Sequence, residues 1–257
     1  MVFDGGVKNM SKPVLILDFD GVLFDTVYEA YAVASLAIKA VDSLSDLSWG
    51  DEWSLFHKFR YLVGPAWNYL PLFKAIRKVD EVVEEQVADL YGEYCSTIDE
   101  KEREYFEKRF FAARSELKKH HYKEWLSLNK AYPFLHALQK LGVDELLQVY
   151  IVTTKDRETV LDLLCLEGWD FSPDNIYDRN SFNMYGSKGE IIKFLLSDVK
   201  RDALFIDDHC EHLASASGIG ITGLSTVLAA WGYSSACDRG VSPGEVIHEI
   251  ERMLRKG

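Results

Sequence analysis

The chain has 257 residues, 47% hydrophobic and 27% charged, enough to bury a substantial core in one domain with a large insertion or in two domains. A formal net charge of −12 argues against a nucleic-acid or anionic-membrane partner, and no run of about twenty apolar residues supplies a membrane span. The N-terminal MVFDGGVKNMSK lacks an apolar signal region, so the sequence predicts a cytoplasmic protein with its scattered cysteines, Cys95, Cys165, Cys210 and Cys237, reduced.

In chain order, the first element is the apolar run Val14 to Leu17, which has no helical period and reads as a strand buried on both faces. It ends in Asp18, Asp20 and Gly21. Where pairing stops at the carboxyl edge of such a sheet, both carboxylates can turn toward one crevice. Two acids this close share a site stably only with a cation between them or a proton on one. Gly21 lets the chain turn sharply and approach a ligand.

From Thr26 the pattern turns helical. YEAYAVASLAIKAV is rich in helix formers and apolar around its circumference, so it predicts a well-buried helix. A Ser/Asp-rich break from Leu44 to Gly50 follows, then a helix DEWSLFHKFRYLVG ending at Gly64 and a restart at Pro65. From Asp80 to about Lys130, Val83, Val87, Leu90 and Tyr94 form one helical stripe and Phe106, Phe110, Ala113 and Leu117 another. Between them DEKEREYFEKR is a solvated face. No convincing strand occurs from Val27 to Lys130.

At Tyr132 strands return. YPFLHALQKLG is a helix opened by Pro133 and closed by Gly142, and LLQVYIVTT is a strand. A helix ended by Gly168, a short strand at NIYD and a Gly/Asn-rich loop lead to the helix KGEIIKFLLSDV. The strand ALFID, a small-residue helix, the strand STVLAAW and the helix GEVIHEIERML complete the chain. Strands alternating with helices at this spacing predict a doubly wound, Rossmann-like parallel α/β sheet. The expected core domain is residues 1–26 and 131–257, and residues 27–130 form an inserted all-helical domain.

The candidate site follows from the sheet edge. Asp207 and Asp208 arrive at the end of ALFID, and a paired acid there makes little sense without a cation. A hard ion such as Mg2+ suits one oxygen of Asp18, the backbone carbonyl of Asp20 and an acid from this pair. Glu211 is a further outer acceptor, whereas His209 and His212 lack the partner set of a zinc site. Cys210, beside this segment, reads as a small filler.

PVLILDFDGVLFDT resembles the first signature of the haloacid dehalogenase superfamily of phosphohydrolases, an apolar strand followed by Asp-x-Asp-Gly-Thr/Val, and fits it at each position. IVTT is similar to the second signature, Lys188 in YGSKGEIIKFLL to the third, and ALFIDDHCEHL to the fourth. The resemblance implies that Asp18 is a nucleophile and Asp20 a general acid and base. It implies that Thr153, or Thr154 if the strand runs one residue further, binds a phosphoryl oxygen, and that Lys188 neutralises the transferring group. Many relatives follow this lysine with proline; here Gly189 follows. Alignment with the family's Gly-Asp form makes Asp208 the direct metal ligand and Asp207 a direct or water-mediated one.

The insertion is similar in placement to the family's cap. FRYLVGPAW resembles the cap segment that faces the site in phosphoglycolate-phosphatase-like members, which implies that Arg60 contacts an anionic substrate; the alternative is an arginine snorkelling from a helix. LAAWGY is similar to a segment that closes the sheet there, so Trp231 and Tyr233 are expected to be structural. The implied activity is magnesium-dependent hydrolysis of a small phosphorylated metabolite through an aspartyl-phosphate, by a monomer or homodimer. Phosphonoacetaldehyde hydrolase, with Lys39 or Lys58 as a Schiff-base lysine, phosphosugar mutase, and a catalytically idle binding module are the alternatives on the same core.

Overall fold

Four consecutive side chains, Val14 to Leu17, are each at most 1% exposed, which a strand achieves only when helices cover both sheet faces and strands flank both edges. The computed structural model, which describes residues 12–39, 41–78, 85–197, 202–234 and 239–256, shows how. The expected stripe member Val83, the N-terminal segment before Lys12 and Cys237 lie outside the described residues.

In chain order the elements are β1 (Val14–Leu17), β2 (Phe24–Asp25), α1 (Val27–Ala37), α2 (Asp51–Lys58), α3 (Tyr69–Lys78), α4 (Glu85–Thr97), α5 (Glu100–His120), α6 (Tyr122–Ser127) and β3 (Lys130–Ala131). Then come α7 (Pro133–Leu141), α8 (Val143–Leu146), β4 (Gln148–Val152), α9 (Arg157–Leu166), β5 (Ile176–Tyr177) and α10 (Arg179–Tyr185). The last are α11 (Lys188–Leu196), β6 (Ala203–Asp207), α12 (Cys210–Gly218), β7 (Leu224–Leu228) and α13 (Pro243–Lys256). The chain divides into two compact units, one running to Phe24 and resuming at Ala131, the other spanning Asp25–Lys130.

The first unit is built on a five-stranded sheet in the order β5-β4-β1-β6-β7. All its pairings are parallel, with Val14 opposite Gln148 on one side and Ala203 on the other. Val14, Ile16, Ala203 and Phe205 point to one face and pack with Ile191, Ile192 and Leu196 of α11 and Ala216 of α12. The alternate residues Leu15, Leu17, Leu204 and Ile206 are fully buried on the other. The fold is therefore the doubly wound parallel α/β type expected.

Some boundaries moved. The helix expected to continue to Gly64 stops at Lys58 and passes into a 3-10 turn at Arg60–Leu62. The expected Gly/Asn-rich loop after β5 is partly helix α10: Asp178 accepts from the backbone N–H groups of Asn180 and Ser181, capping a segment that has no periodic apolar face to announce it. Gly142 does close α7, at φ 66°, a left-handed conformation that glycine adopts without a Cβ clash.

The second unit is helical. Its interior is aromatic: Tyr31 stacks on Phe73 with ring centroids 5.7 Å apart, and Tyr69 on Phe110 at 5.3 Å. Helix α1 is apolar nearly all round because it is buried nearly all round, Glu29 and Ser35 being its buried polar residues. Glu29, 0% exposed, receives Arg114 Nε at 2.5 Å, Arg114 Nη2 at 3.0 Å and Trp125 Nε1 at 3.4 Å, so its charge is paired and hydrogen-bonded. Among the described residues no helix is long and apolar enough to cross a membrane. Cys95 and Cys165 are free thiols; Cys210 is exposed, so it does not fill the core as the sequence suggested.

Candidate active site

The parallel register brings the carboxyl ends of β1, β4 and β6 side by side, and each strand releases its polar residues there. Asp18 follows β1 directly; its backbone N–H donates to Ile206 O at 2.9 Å, and its Oδ1 accepts from Phe19 N at 2.7 Å. The chain then folds into a tight turn in which Gly21 N donates to Phe24 O at 2.8 Å and Gly21 takes φ 82°. A β-carbon on Gly21 would overlap the Asp208 carboxylate, and one on Gly232 would overlap Gly21 O and Asp208 Cβ. Glycine is required at Gly21 twice over, by backbone conformation and by space. Gly21→Ala should lower the melting temperature by several degrees, corresponding to about 1–3 kcal/mol, and perturb the acids on either side; an unshifted melting curve would contradict the packing.

Lys188 is the centre of the cluster. It opens α11, whose N-terminus is capped by Ser187 Oγ accepting from Glu190 N at 3.1 Å. Its Nζ lies 2.8 Å from Asp18 Oδ1 and 2.8 Å from Asp207 Oδ2, with its side chain 1% exposed. The Gly189 that departs from the common pattern has a spatial reason here. A β-carbon at that position would lie 2.6 Å from Ser215 Oγ and 2.7 Å from Ser215 O, so glycine lets α11 rest against the α12 backbone. That close approach carries Lys188 to the acids.

Asp207 is held from three directions: Lys188 on Oδ2, and on Oδ1 His209 N at 2.8 Å and His212 Nδ1 at 3.1 Å. Asp208, the expected direct metal ligand, accepts from Tyr233 N at 2.6 Å through its Oδ2. Among the described residues, Asp18, Asp207 and His212 offer donor atoms close enough to one another to share an ion, all within 4.8 Å. In that grouping Asp207, the last residue of β6, stands with Asp18, while the Asp208 side chain lies beside Gly21 and Gly232. Glu211 is exposed. LAAWGY supports this edge: Trp231 Nε1 donates to Val22 O at 3.0 Å and its ring packs on Phe134, while Tyr233 orients Asp208.

The electrostatics follow from burial and sign. Burial, with the charges of Asp207 and Asp208 adding to it, raises Asp18 to about 7 against the pull of Lys188. Burial acts on Asp207 in the same direction, but Lys188 and His212 overcome it and hold that carboxyl down at about 2. For Lys188 burial alone would favour the neutral amine; the two carboxylates reverse this and raise it above its ordinary value. Burial and the neighbouring His212 lower His209. An acid-rich site with Asp18 held partly protonated is one that a divalent cation would relax. The carboxylate oxygens of Asp18 and Asp207 are donors of the type a hard cation takes, and the His212 nitrogen, bonded to Asp207, suits an outer layer better.

Thr153 directly follows β4 and is buried, its N–H donating to Tyr177 O at 2.9 Å; Thr154 is half-buried. One residue that sequence reasoning missed stands beside them. Lys155, 4% exposed, places Nζ 3.0 Å from Asp20 Oδ1. Its only sequence signal was its position three residues past the strand end, since a lysine in a loop normally reads as solvated. Arg60 belongs to the other compact unit, where its guanidinium packs over the Tyr69 ring at 5.3 Å and donates to Val63 O at 2.8 Å. Lys39 and Lys58 are exposed, without the desolvated setting a Schiff-base lysine needs.

Known proteins share this architecture. A haloacid dehalogenase-like family protein from Streptococcus pneumoniae superposes with a TM-score of 0.56 at 16% identity, covering 93% of this chain and 98% of its own. A candidate phosphatase from Clostridium difficile gives 0.59 at 15%, covering 93% and 98%. A candidate phosphoglycolate phosphatase from Lactobacillus delbrueckii subsp. bulgaricus gives 0.58 at 14%, covering 94% and 99%. No curated protein matches the sequence. At these identities the structural likenesses establish the fold, and the sequence itself matches the family model for haloacid dehalogenase-like hydrolases over residues 13–220. With that match spanning most of its length, the chain belongs to the haloacid dehalogenase-like hydrolases.

Proposed function

We propose that the protein is a magnesium-dependent phosphomonoesterase that acts on a small phosphorylated metabolite through an aspartyl-phosphate on Asp18. The observation that carries this reading is the buried Lys188 ammonium, 2.8 Å from both Asp18 and Asp207 at the sheet's carboxyl edge. A lysine so placed neutralises an acid without hydrogen-bonding all of its oxygens, which suits a carboxylate that must approach a phosphoryl dianion. The phosphatase assignments of the structural relatives point the same way.

Asp18 and Asp207, with the Asp20 backbone carbonyl and Asp208 as further oxygens, would hold Mg2+, which when bound supplies charge neutralisation for the nucleophile and the phosphoryl oxygens. Asp18 attacks phosphorus in line; the bond from phosphorus to the ester oxygen breaks, and Asp20 gives its proton to that oxygen. The Thr153 hydroxyl and the backbone N–H groups beyond it bind equatorial oxygens. Asp20, now ionised, takes a proton from water as the water oxygen bonds to phosphorus, and the Asp18–phosphorus bond breaks to release inorganic phosphate. In this reading unit Asp25–Lys130 is a cap, Arg60 is the candidate contact to an anionic substrate, and the protein is cytoplasmic.

The test is a screen of phosphorylated metabolites and p-nitrophenyl phosphate with the purified protein before and after EDTA treatment. Chelation should abolish phosphate release and added Mg2+ should restore it. Full activity in EDTA would remove the cation from the reading, and no hydrolysis of any phosphate ester would remove the phosphatase.

A further inference from the structure

The contacts of Lys155 tie together two groups that sit on different strands. Its backbone N–H donates to Thr153 Oγ1 at 3.1 Å, its backbone carbonyl accepts from Arg179 N at 3.3 Å, and its ammonium lies 3.0 Å from Asp20 Oδ1. The side chain is 2% exposed, against 20% for Asp20. A lysine stem buried to that degree loses most of its rotamer freedom and its hydration. Such a cation is placed for a purpose other than solubility.

The geometry also has a direction. The loop after β4 is fixed at Lys155 O by α10, and the turn after β1 is fixed by Gly21 N on Phe24 O. Lys155 joins these two anchored loops through a charge-assisted bond, the strong kind of hydrogen bond, to Oδ1 of Asp20. The rotation of the Asp20 carboxyl is thereby set by the end of β4. The same residue leaves the Thr153 hydroxyl oxygen occupied as an acceptor from the Lys155 N–H, so that its own proton is directed elsewhere.

We propose that Lys155 is a positioning residue that aims the Asp20 carboxyl at the leaving-group oxygen, coupling the proton donor to the threonine loop that binds the phosphoryl group. This rests on the reading of Asp20 as the proton donor given above. A positioning defect at the proton donor has a signature that a general loss of fold lacks. It should scale with how much the leaving group needs a proton. p-Nitrophenolate departs readily without one, whereas phenolate, a far stronger base, does not.

The experiment compares Lys155→Met, Lys155→Arg and Asp20→Asn on p-nitrophenyl phosphate and phenyl phosphate, with thermal melts of each. Lys155→Met should lower kcat/KM, which reports the ester-cleaving step before the aspartyl-phosphate common to both substrates, at least about tenfold more on phenyl phosphate than on p-nitrophenyl phosphate. Lys155→Arg should recover part of the difference. Equal losses on both esters overturn the proposal. If Lys155→Met does not fold, Lys155→Arg carries the same comparison, a leaving-group-dependent loss supporting the proposal and a uniform one overturning it. Asp20→Asn separates the two levels. If it shows the leaving-group dependence and the Lys155 variants do not, only the positioning role falls; if it shows none, the donor assignment falls and the positioning role with it.

Discussion

Asp18→Asn should reduce p-nitrophenyl phosphate hydrolysis about 10^4-fold or more, to the background of the assay. The amide has nearly the same size and its oxygen can still accept from Phe19 N and Lys188 Nζ, so the geometry should survive while the nucleophilic oxygen pair does not. The same variant should not be less stable than the parent. It removes a carboxyl that burial raises to about 7, so the cost of holding a charge in that buried place is relieved, and Lys188 keeps Asp207 as its partner. Dead enzyme with an unchanged or higher melting temperature is therefore the joint expectation. An active Asp18→Asn protein would end the nucleophile assignment, and an inactive, unfolded one would show that Asp18 is needed for folding first.

Lys188→Met should be costly in both respects. Methionine fills much of the same volume, but Asp18 and Asp207 then lose the ammonium that sits 2.8 Å from each. Removing one partner from a buried charge cluster costs about 3–5 kcal/mol, which for a chain of this size lowers the melting temperature by roughly 6–20 °C. Lys188→Arg should not rescue it, since a planar guanidinium needs more room than this fully buried site offers. A thermal melt of Lys188→Met superimposable on the parent would show that the two acids are not ionised together in the folded protein.

Much of this was legible before the structure, for a physical reason. Where burial is complete, composition leaves few options: Val14–Leu17 and Ala203–Asp207 match the predicted runs because an apolar segment that short, bounded by acids, has nowhere else to go. The reading failed where information resides in partners. That β1 lies between β4 and β6 is not written in any one strand, nor is the grouping of Asp18 with Asp207 and His212, which depends on which way the last strand residue faces. Lys155 was invisible because a lysine's meaning is its surroundings, not its type. The Glu29–Arg114 pair was hidden likewise, 85 residues apart on helices that the pattern described separately.

The place of β1 in the sheet sets a timetable for synthesis. Val14 pairs with Gln148 on one side and Ala203 on the other, while the whole segment Asp25–Lys130 leaves the ribosome before either neighbour exists. At about 5–20 residues per second, this hydrophobic strand waits on the order of ten seconds for its first partner. During that interval the insertion can assemble around its own aromatic interior, and the nascent N-terminal strand is the segment a chaperone would be expected to shelter.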